Sequence, residues 1–91
     1  MTQTEKIISA YQDQYMMAQF YDKIIKNHKD ELDEERLVYY YDKSEKHWHA
    51  TRILVGLLSA DLMRKHIWAA KKWANQVADD MYNSWLKKRE A

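Results

Sequence analysis

The chain contains no proline and a single glycine in its 91 residues. These two residue types most often interrupt helices and shape tight turns. A chain almost without them can form long, uninterrupted helices that are separated by only a few polar positions. This scarcity predicts an all-α protein.

Apolar residues recur every three or four positions in three segments, which is the spacing of one face of a helix. In the second segment the spacing alternates between four and three, as in the seam of a coiled-coil-like bundle. The residues of that seam are Leu37, Tyr41, Ser44, Trp48, Thr51, Val55, Leu58 and Leu62. The third seam consists of Met63, Ile67, Ala70, Ala74, Val77, Met81 and Trp85.

Polar residues mark the helix starts. Thr2 and Glu5 form a capping box before the first segment. Asp30 or Asp33 can cap the second helix, and Ser59 can cap the third. The predicted single domain spans residues 1–91, with helices at about 3–29, 33–58 and 60–88.

The chain is rich in large apolar side chains for its length, with four Trp, seven Tyr and five Met. A chain of this size buries only roughly 60–65 % of its unfolded surface. The surplus favours an antiparallel bundle of three long helices that is completed by homodimerisation. Residues 53–58 are apolar on nearly every side, so we expect them at the centre of the bundle or of the dimer.

Charge and cysteine content narrow the function classes. The 15 basic and 14 acidic residues give a net charge of +1, which demands neither nucleic acid nor an anionic membrane. Without cysteine, disulfides and thiolate metal sites are excluded. The N-terminal residues lack the pattern of a secretory signal, and no apolar run approaches the ~20 residues that span a bilayer. We expect a cytoplasmic protein that does not enter a membrane.

The stretch EKHWHATR, residues 45–52, places two histidines around a tryptophan. On a helix, side chains two positions apart point about 200° from each other, so His47 and His49 cannot share a metal ion. We interpret Trp48 as a core residue and expect neither a metal nor another cofactor. The sequence also lacks a glycine-rich phosphate loop, a cysteine nucleophile and a recognisable serine motif. It therefore predicts a non-enzymatic protein.

A second stripe runs along the predicted third helix, about 150° from its apolar seam at 100° per residue. It combines basic, amide and aromatic side chains. Trp, Tyr and Arg dominate the hot spots of binding interfaces. The members of the stripe are Arg64, Trp68, Lys71, Lys72, Asn75, Tyr82 and Leu86.

Three interpretations of this stripe are open. It could pack inside the bundle or against a second copy, because aromatic residues in a small domain are usually buried. It could dock a protein partner, which makes the chain a small protein-binding module that acts as an inhibitor or regulator. It could also bind DNA or RNA, with residues 60–73 as a recognition helix that carries Arg64, Lys65, Lys71 and Lys72. We favour the protein-binding module and keep the nucleic-acid-binding regulator as the alternative.

Overall fold

The computed structural model describes residues 2–90, which form three long helices and no strand. Helix α1 covers Gln3–His28, α2 covers Glu34–Val55 and α3 covers Ala60–Glu90. A short 3₁₀ turn, Lys29–Glu31, follows α1. The prediction of an all-α fold built from packed helices is confirmed.

A polar side chain caps the start of each helix. The Thr2 hydroxyl accepts a hydrogen bond from the backbone N–H three residues on, at 3.1 Å. Asp33, not Asp30, caps α2 through a carboxylate oxygen that lies 2.8 Å from the corresponding N–H. Ser59 caps α3 in the same way at 3.3 Å. Such caps contribute typically about 1 kcal/mol each, so these short polar residues define where each helix begins.

Helix α2 ends at Val55, before the predicted boundary at residue 58. Gly56 keeps a right-handed backbone, with φ of −63°. The N–H groups of Leu57 and Leu58 each donate to a carbonyl three residues earlier, at 3.1 Å. These bonds tighten the last turn and satisfy carbonyls that a helix end leaves free. A turn at residues 56–59 therefore separates α2 from α3.

Helix α1 is the centre of the structure, because it packs against both α2 and α3 while those two scarcely contact each other. Gln14 of α1 meets His47 of α2, and the later Asp22 meets the earlier Ser44, so α1 and α2 are antiparallel. The contacts of α1 with α3 advance in the same direction along both helices, so these two helices are parallel. In a closed three-helix bundle each helix packs against both others. Here two outer helices rest on one central helix.

The interface between α1 and α3 is built on alanine. Ala70, Ala74 and Ala78 lie along one stripe of α3 and are 3 %, 0 % and 0 % exposed. Because α3 packs on α1, these small side chains let the two backbones approach closely. Ala78 belongs to this buried stripe, although the predicted seam did not include it.

The interface between α1 and α2 is polar. The buried residues of α2 are Ser44 and Thr51. The carboxylate of Asp22 on α1 accepts hydrogen bonds from the Ser44 hydroxyl and, at 2.8 Å, from the indole N–H of Trp48. The Trp48 ring meets Tyr15 edge-on, with ring centres 5.0 Å apart. Hydrogen bonds and aromatic contacts therefore contribute to joining these helices.

Residues 53–58 do not lie at the centre of the helical bundle. Leu58 is buried, but Ile53 and Leu57 are 55 % and 61 % exposed.

Within the described residues, none of the helices combines the length and the hydropathy needed to cross a membrane.

Candidate functional site

The N-terminal half of α3 exposes a continuous group of the predicted site residues. We call it the α3 outer face, and it consists of Arg64, Trp68, Lys71, Lys72 and Asn75, all of them exposed. Trp68 is 73 % exposed and is the most exposed large apolar side chain between residues 2 and 90. The small residues on the opposite side of α3 explain this placement, because they set which side of the helix meets α1.

One cation lies over the exposed indole. The ammonium of Lys72 lies 5.3 Å from the centre of the Trp68 ring, a cation–π arrangement. Lys71 lies 5.8 Å from the ring of Tyr15 on α1. Arg64 pairs with Asp61 at 2.5 Å, but both side chains are largely exposed. Such surface pairs contribute little to stability. The face thus presents an exposed indole with the Lys72 ammonium over it, while the Lys71 ammonium lies over a ring of α1.

The last two residues of the predicted stripe have a different environment. Tyr82 and Leu86 are partly buried. The Tyr82 hydroxyl lies 2.6 Å from the His28 ring. The 14 residues from Trp68 to Tyr82 correspond to about 21 Å along the helix. The structure therefore separates the stripe into an exposed half and a half that packs near the end of α1.

A second polar group connects the ends of α1 and α3. We call it the C-terminal cluster, and it consists of His28, Glu31, Tyr82 and Arg89. Nδ1 of His28 lies 2.9 Å from a carboxylate oxygen of Glu31 and 3.0 Å from the Arg89 guanidinium, and Nε2 lies 2.6 Å from the Tyr82 hydroxyl. Arg89 lies 3.0 Å from the same Glu31 oxygen and covers the Trp85 ring at 4.8 Å. The hydrogen bonds from His28 and Arg89 hold the pKa of the Glu31 carboxyl below its usual value. Each polar group of the cluster has a hydrogen-bond or ion-pair partner within the cluster. These contacts connect the end of α1 to the end of α3.

The histidines of EKHWHATR point to different sides of α2. Nδ1 of His47 donates to the Gln14 side chain at 2.6 Å, and its ring stacks on Tyr21. Burial, followed by the charges of neighbouring lysines, lowers the pKa of His47. His49 is exposed. No group of three His, Asp or Glu side chains within residues 2–90 is arranged to hold a metal ion.

A concavity of about 490 Å³ lies between α1 and α2. Asp22, Trp48, Tyr41 and Arg52 contribute to its walls. The Asp22 carboxylate already accepts hydrogen bonds from α2. In the described part of the chain, every buried side-chain nitrogen or oxygen has a hydrogen-bond partner. The concavity therefore offers no unsatisfied buried group to orient a ligand.

Sequence reasoning did not identify Asp22 or the C-terminal cluster. Asp22 had a detectable signal, since it lies four residues after Ala18 and three before Ile25 on the buried side of α1. A carboxylate at such a position needs a partner, and Trp and Ser are suitable donors. The cluster had no comparable signal, because His28 and Arg89 are separated by 61 residues.

The α3 outer face remains the surface on which the predicted site residues are most exposed. It needs no contribution from α2, because its five residues belong to one helix. We therefore base the functional proposal on this surface. A comparison of the chain with protein-family models, curated proteins and solved structures finds no match.

Proposed function

We propose that this chain is a small protein-binding module, an inhibitor or regulator, that docks a protein partner through the α3 outer face. The supporting observation is the 73 % exposure of Trp68. A tryptophan buries about 200 Å² when it is covered, and apolar burial contributes about 25 cal/mol per Å². Covering the exposed part of this ring would stabilise a complex by about 3–4 kcal/mol before the costs of association.

The other residues of the face indicate the chemistry of the partner. Lys72 lies over the Trp68 ring, Arg64 and Lys71 lie about one helical turn from it, and Asn75 adds an amide. Complementary potentials speed association and select partners. The expected partner surface is an apolar pocket for the indole with acidic side chains at its edge.

Tyr82 and Leu86 have an indirect part in this proposal. They lie where α3 packs near the end of α1, and Tyr82 is hydrogen-bonded to His28. They hold α3 in place, while Trp68 and the other residues of the α3 outer face contact the partner. We further propose that the chain acts in the cytoplasm, without catalysis or a cofactor.

The nucleic-acid alternative rests on the exposed basic residues Arg64, Lys65, Lys71 and Lys72, all on one helix. Neutralising phosphates would make such binding fall linearly with the logarithm of salt concentration. In a helix-turn-helix the first helix supports the recognition helix by packing against it. The scarce contact between α2 and α3 therefore favours a protein partner.

The test begins with capture of partners from a lysate, with and without nuclease, and continues with the purified partner. We expect Trp68→Ala to weaken partner affinity by about 30-fold or more, the effect of losing about 2 kcal/mol at a hot spot. The matched control is Trp73→Ala, a tryptophan on the same helix that is 42 % exposed and outside the face. Helicity and melting temperature should not change in Trp68→Ala.

Three results would contradict this proposal. Equal loss of affinity in Trp68→Ala and Trp73→Ala would show that the face is not specific. A large drop in melting temperature in Trp68→Ala would make its ring part of the fold. Retention of nucleic acid alone, with a steep salt dependence, would replace the protein partner by DNA or RNA.

A further inference from the structure

Helix α2 and the turn that follows it carry large exposed apolar side chains. Val38, Tyr39, Ile53 and Leu57 are 53 %, 52 %, 55 % and 61 % exposed. The residues that α2 buries against α1 are polar, as described above. Its exposed apolar groups face away from the one helix on which it packs substantially. Large exposed apolar side chains at both ends of one helix face offer surface for an interaction.

The exposed groups follow one helical line at intervals of three and four residues, which is one face of a helix. We call this line the α2 outer stripe, and all its members are exposed. On α2 they are Glu35, Val38, Asp42, Lys46, His49 and Ile53, and Leu57 of the following turn lies beyond the last of them. Apolar side chains lie near both ends of the stripe, and charged or titratable ones lie between them.

Charge divides α2 and its flanks into two halves. Residues 33–42 contain four acidic residues and one basic residue, a net charge of −3. Residues 43–57 contain three basic residues and one acidic residue, a net charge of +2 with histidine neutral. Each half is therefore complementary to the other half, which is the requirement for a surface that pairs with itself about a two-fold axis.

We propose that two copies of this chain associate through their α2 outer stripes, antiparallel, about a two-fold axis between residues 45 and 46. In this register Val38 lies opposite Ile53 of the second copy. Asp42 lies opposite the second copy's His49, and Glu45, which borders the stripe, lies opposite its Lys46. Each copy thus supplies both members of the apolar pair and of the Glu45–Lys46 ion pair.

A second copy fits this stripe better than other occupants. An anionic membrane surface would attract the basic half but repel the acidic half. A helix of another protein would need a complementary order of apolar, basic, acidic and apolar side chains along its length to match this stripe. A second copy does so by symmetry, and antiparallel helices also align opposite ends of their dipoles.

The size of the stripe predicts a weak dimer. The helical distance from Glu35 to Val55 is about 30 Å. One helix face of this length buries less than the roughly 800 Å² per partner of a standard interface. We therefore expect a dissociation constant in the micromolar range or weaker, which rises with salt because the central pairs are exposed.

The dimer goes beyond the proposed function and does not depend on it. The α3 outer face belongs to another helix, and α2 and α3 scarcely contact each other. Two copies joined through α2 would each keep Trp68 free. Loss of dimerisation with intact partner binding, or the reverse, distinguishes the two proposals.

The first measurement is sedimentation equilibrium of the full chain from about 5 to about 500 µM, a range that brackets micromolar affinities. We expect the average mass to rise from 11.1 kDa toward twice that value. A mass that stays at 11.1 kDa throughout would overturn the proposal.

Charge reversal tests the register. A basic variant, Asp42→Lys with Glu45→Lys, and an acidic variant, Lys46→Glu with His49→Glu, should each remain monomeric, because positions 45 and 46, which face each other across the axis, then carry like charges. An equimolar mixture of the two should form a heterodimer. Circular dichroism of each variant checks that its helices are intact. If the mixture does not associate, or if either variant alone still dimerises, the antiparallel register is wrong.

A matched control separates the stripe from net charge. Asp13→Lys with Asp80→Lys makes the same change of charge as the basic variant at exposed positions on α1 and α3. This control should dimerise like the wild type. If it is monomeric, overall repulsion explains the result and the stripe is not the interface.

Discussion

Helix α1 makes two interfaces of opposite chemistry. Toward α3 it meets a stripe in which Ala74 and Ala78 are 0 % exposed. Toward α2 it places the Asp22 carboxylate against the Ser44 hydroxyl and the Trp48 indole. Alanine can pack at several positions along a helix, whereas hydrogen bonds need one alignment. The polar interface therefore specifies the register of its helices, and the alanine interface specifies how closely they approach.

The two interfaces also differ in how they fail. A close-packed alanine contact tolerates no additional volume. A polar contact is sensitive to loss of one partner. A buried donor that has no acceptor bonds neither to the protein nor to water, and this destabilises the folded state. Increased volume in one interface and a deleted carboxylate in the other are therefore the informative changes.

The largest effect is expected from Ala74→Leu. The added methylenes have no space between α1 and α3, so we expect the free energy of unfolding to fall by about 3 kcal/mol. Urea unfolding followed by circular dichroism measures this change. The control is Ala69→Leu, at an exposed position of the same helix. Equal stability of the two variants would show that α3 does not approach α1 closely.

A smaller effect is expected from Asp22→Ala. The Ser44 hydroxyl, in a residue that is 6 % exposed, and the Trp48 N–H would both lose their acceptor. We expect a loss of about 2 kcal/mol. The control Asp13→Ala changes an exposed carboxylate and should cost less than about 0.5 kcal/mol.

A double-mutant cycle sharpens this result. Trp48→Phe removes the indole donor and keeps an aromatic ring beside Tyr15. If the hydrogen bond is formed, the effects of Trp48→Phe and Asp22→Ala are not additive. Strict additivity would mean that the carboxylate and the indole do not interact.

The smallest effect concerns pH. The pKa of His47 is lowered in the folded chain by burial first and by nearby lysines second. As pH falls below the unfolded value of about 6.5, the unfolded state takes up a proton that the folded state resists, so stability decreases. Solvent screening keeps the effect well below 1 kcal/mol. The groups around the ring are Lys43 and Lys46 on α2 and Gln14 and Tyr21 on α1.

Thermal unfolding between pH 7 and pH 5 tests this sign. His47→Gln should lose less stability on acidification than the wild type does. His49→Gln, a change at an exposed position, should behave like the wild type. A wild type that becomes more stable on acidification, relative to His47→Gln, would contradict the lowered pKa.

Much of the fold could be predicted because it depends on neighbouring residues. Helix formation and capping are local, so Thr2, Asp33 and Ser59 could be identified as capping candidates before any tertiary contact was known. Ala70 and Ala74 were assigned to the buried side of α3 from their spacing. The exposure of Trp68 also agrees with its place opposite that seam.

The parts that could not be predicted depend on residues far apart in the chain. Asp22 and Trp48 are 26 residues apart, and no periodicity pairs them. Periodicity also did not show that Tyr82 packs while Trp68 does not, since both belong to one predicted stripe. That difference arises because the end of α1 provides His28 as a partner for Tyr82.

The sequence by itself determined that three long helices form, where they begin, and which side of α3 is small and apolar. These properties follow from the absence of proline, from short-range capping and from the 3.6-residue period of the helix. Only the tertiary structure decided that α1 is central, that α2 turns polar residues inward, and that apolar side chains remain on its outside. The reason is that a helix can rotate about its axis and shift along its neighbour, and contacts between distant residues select one arrangement.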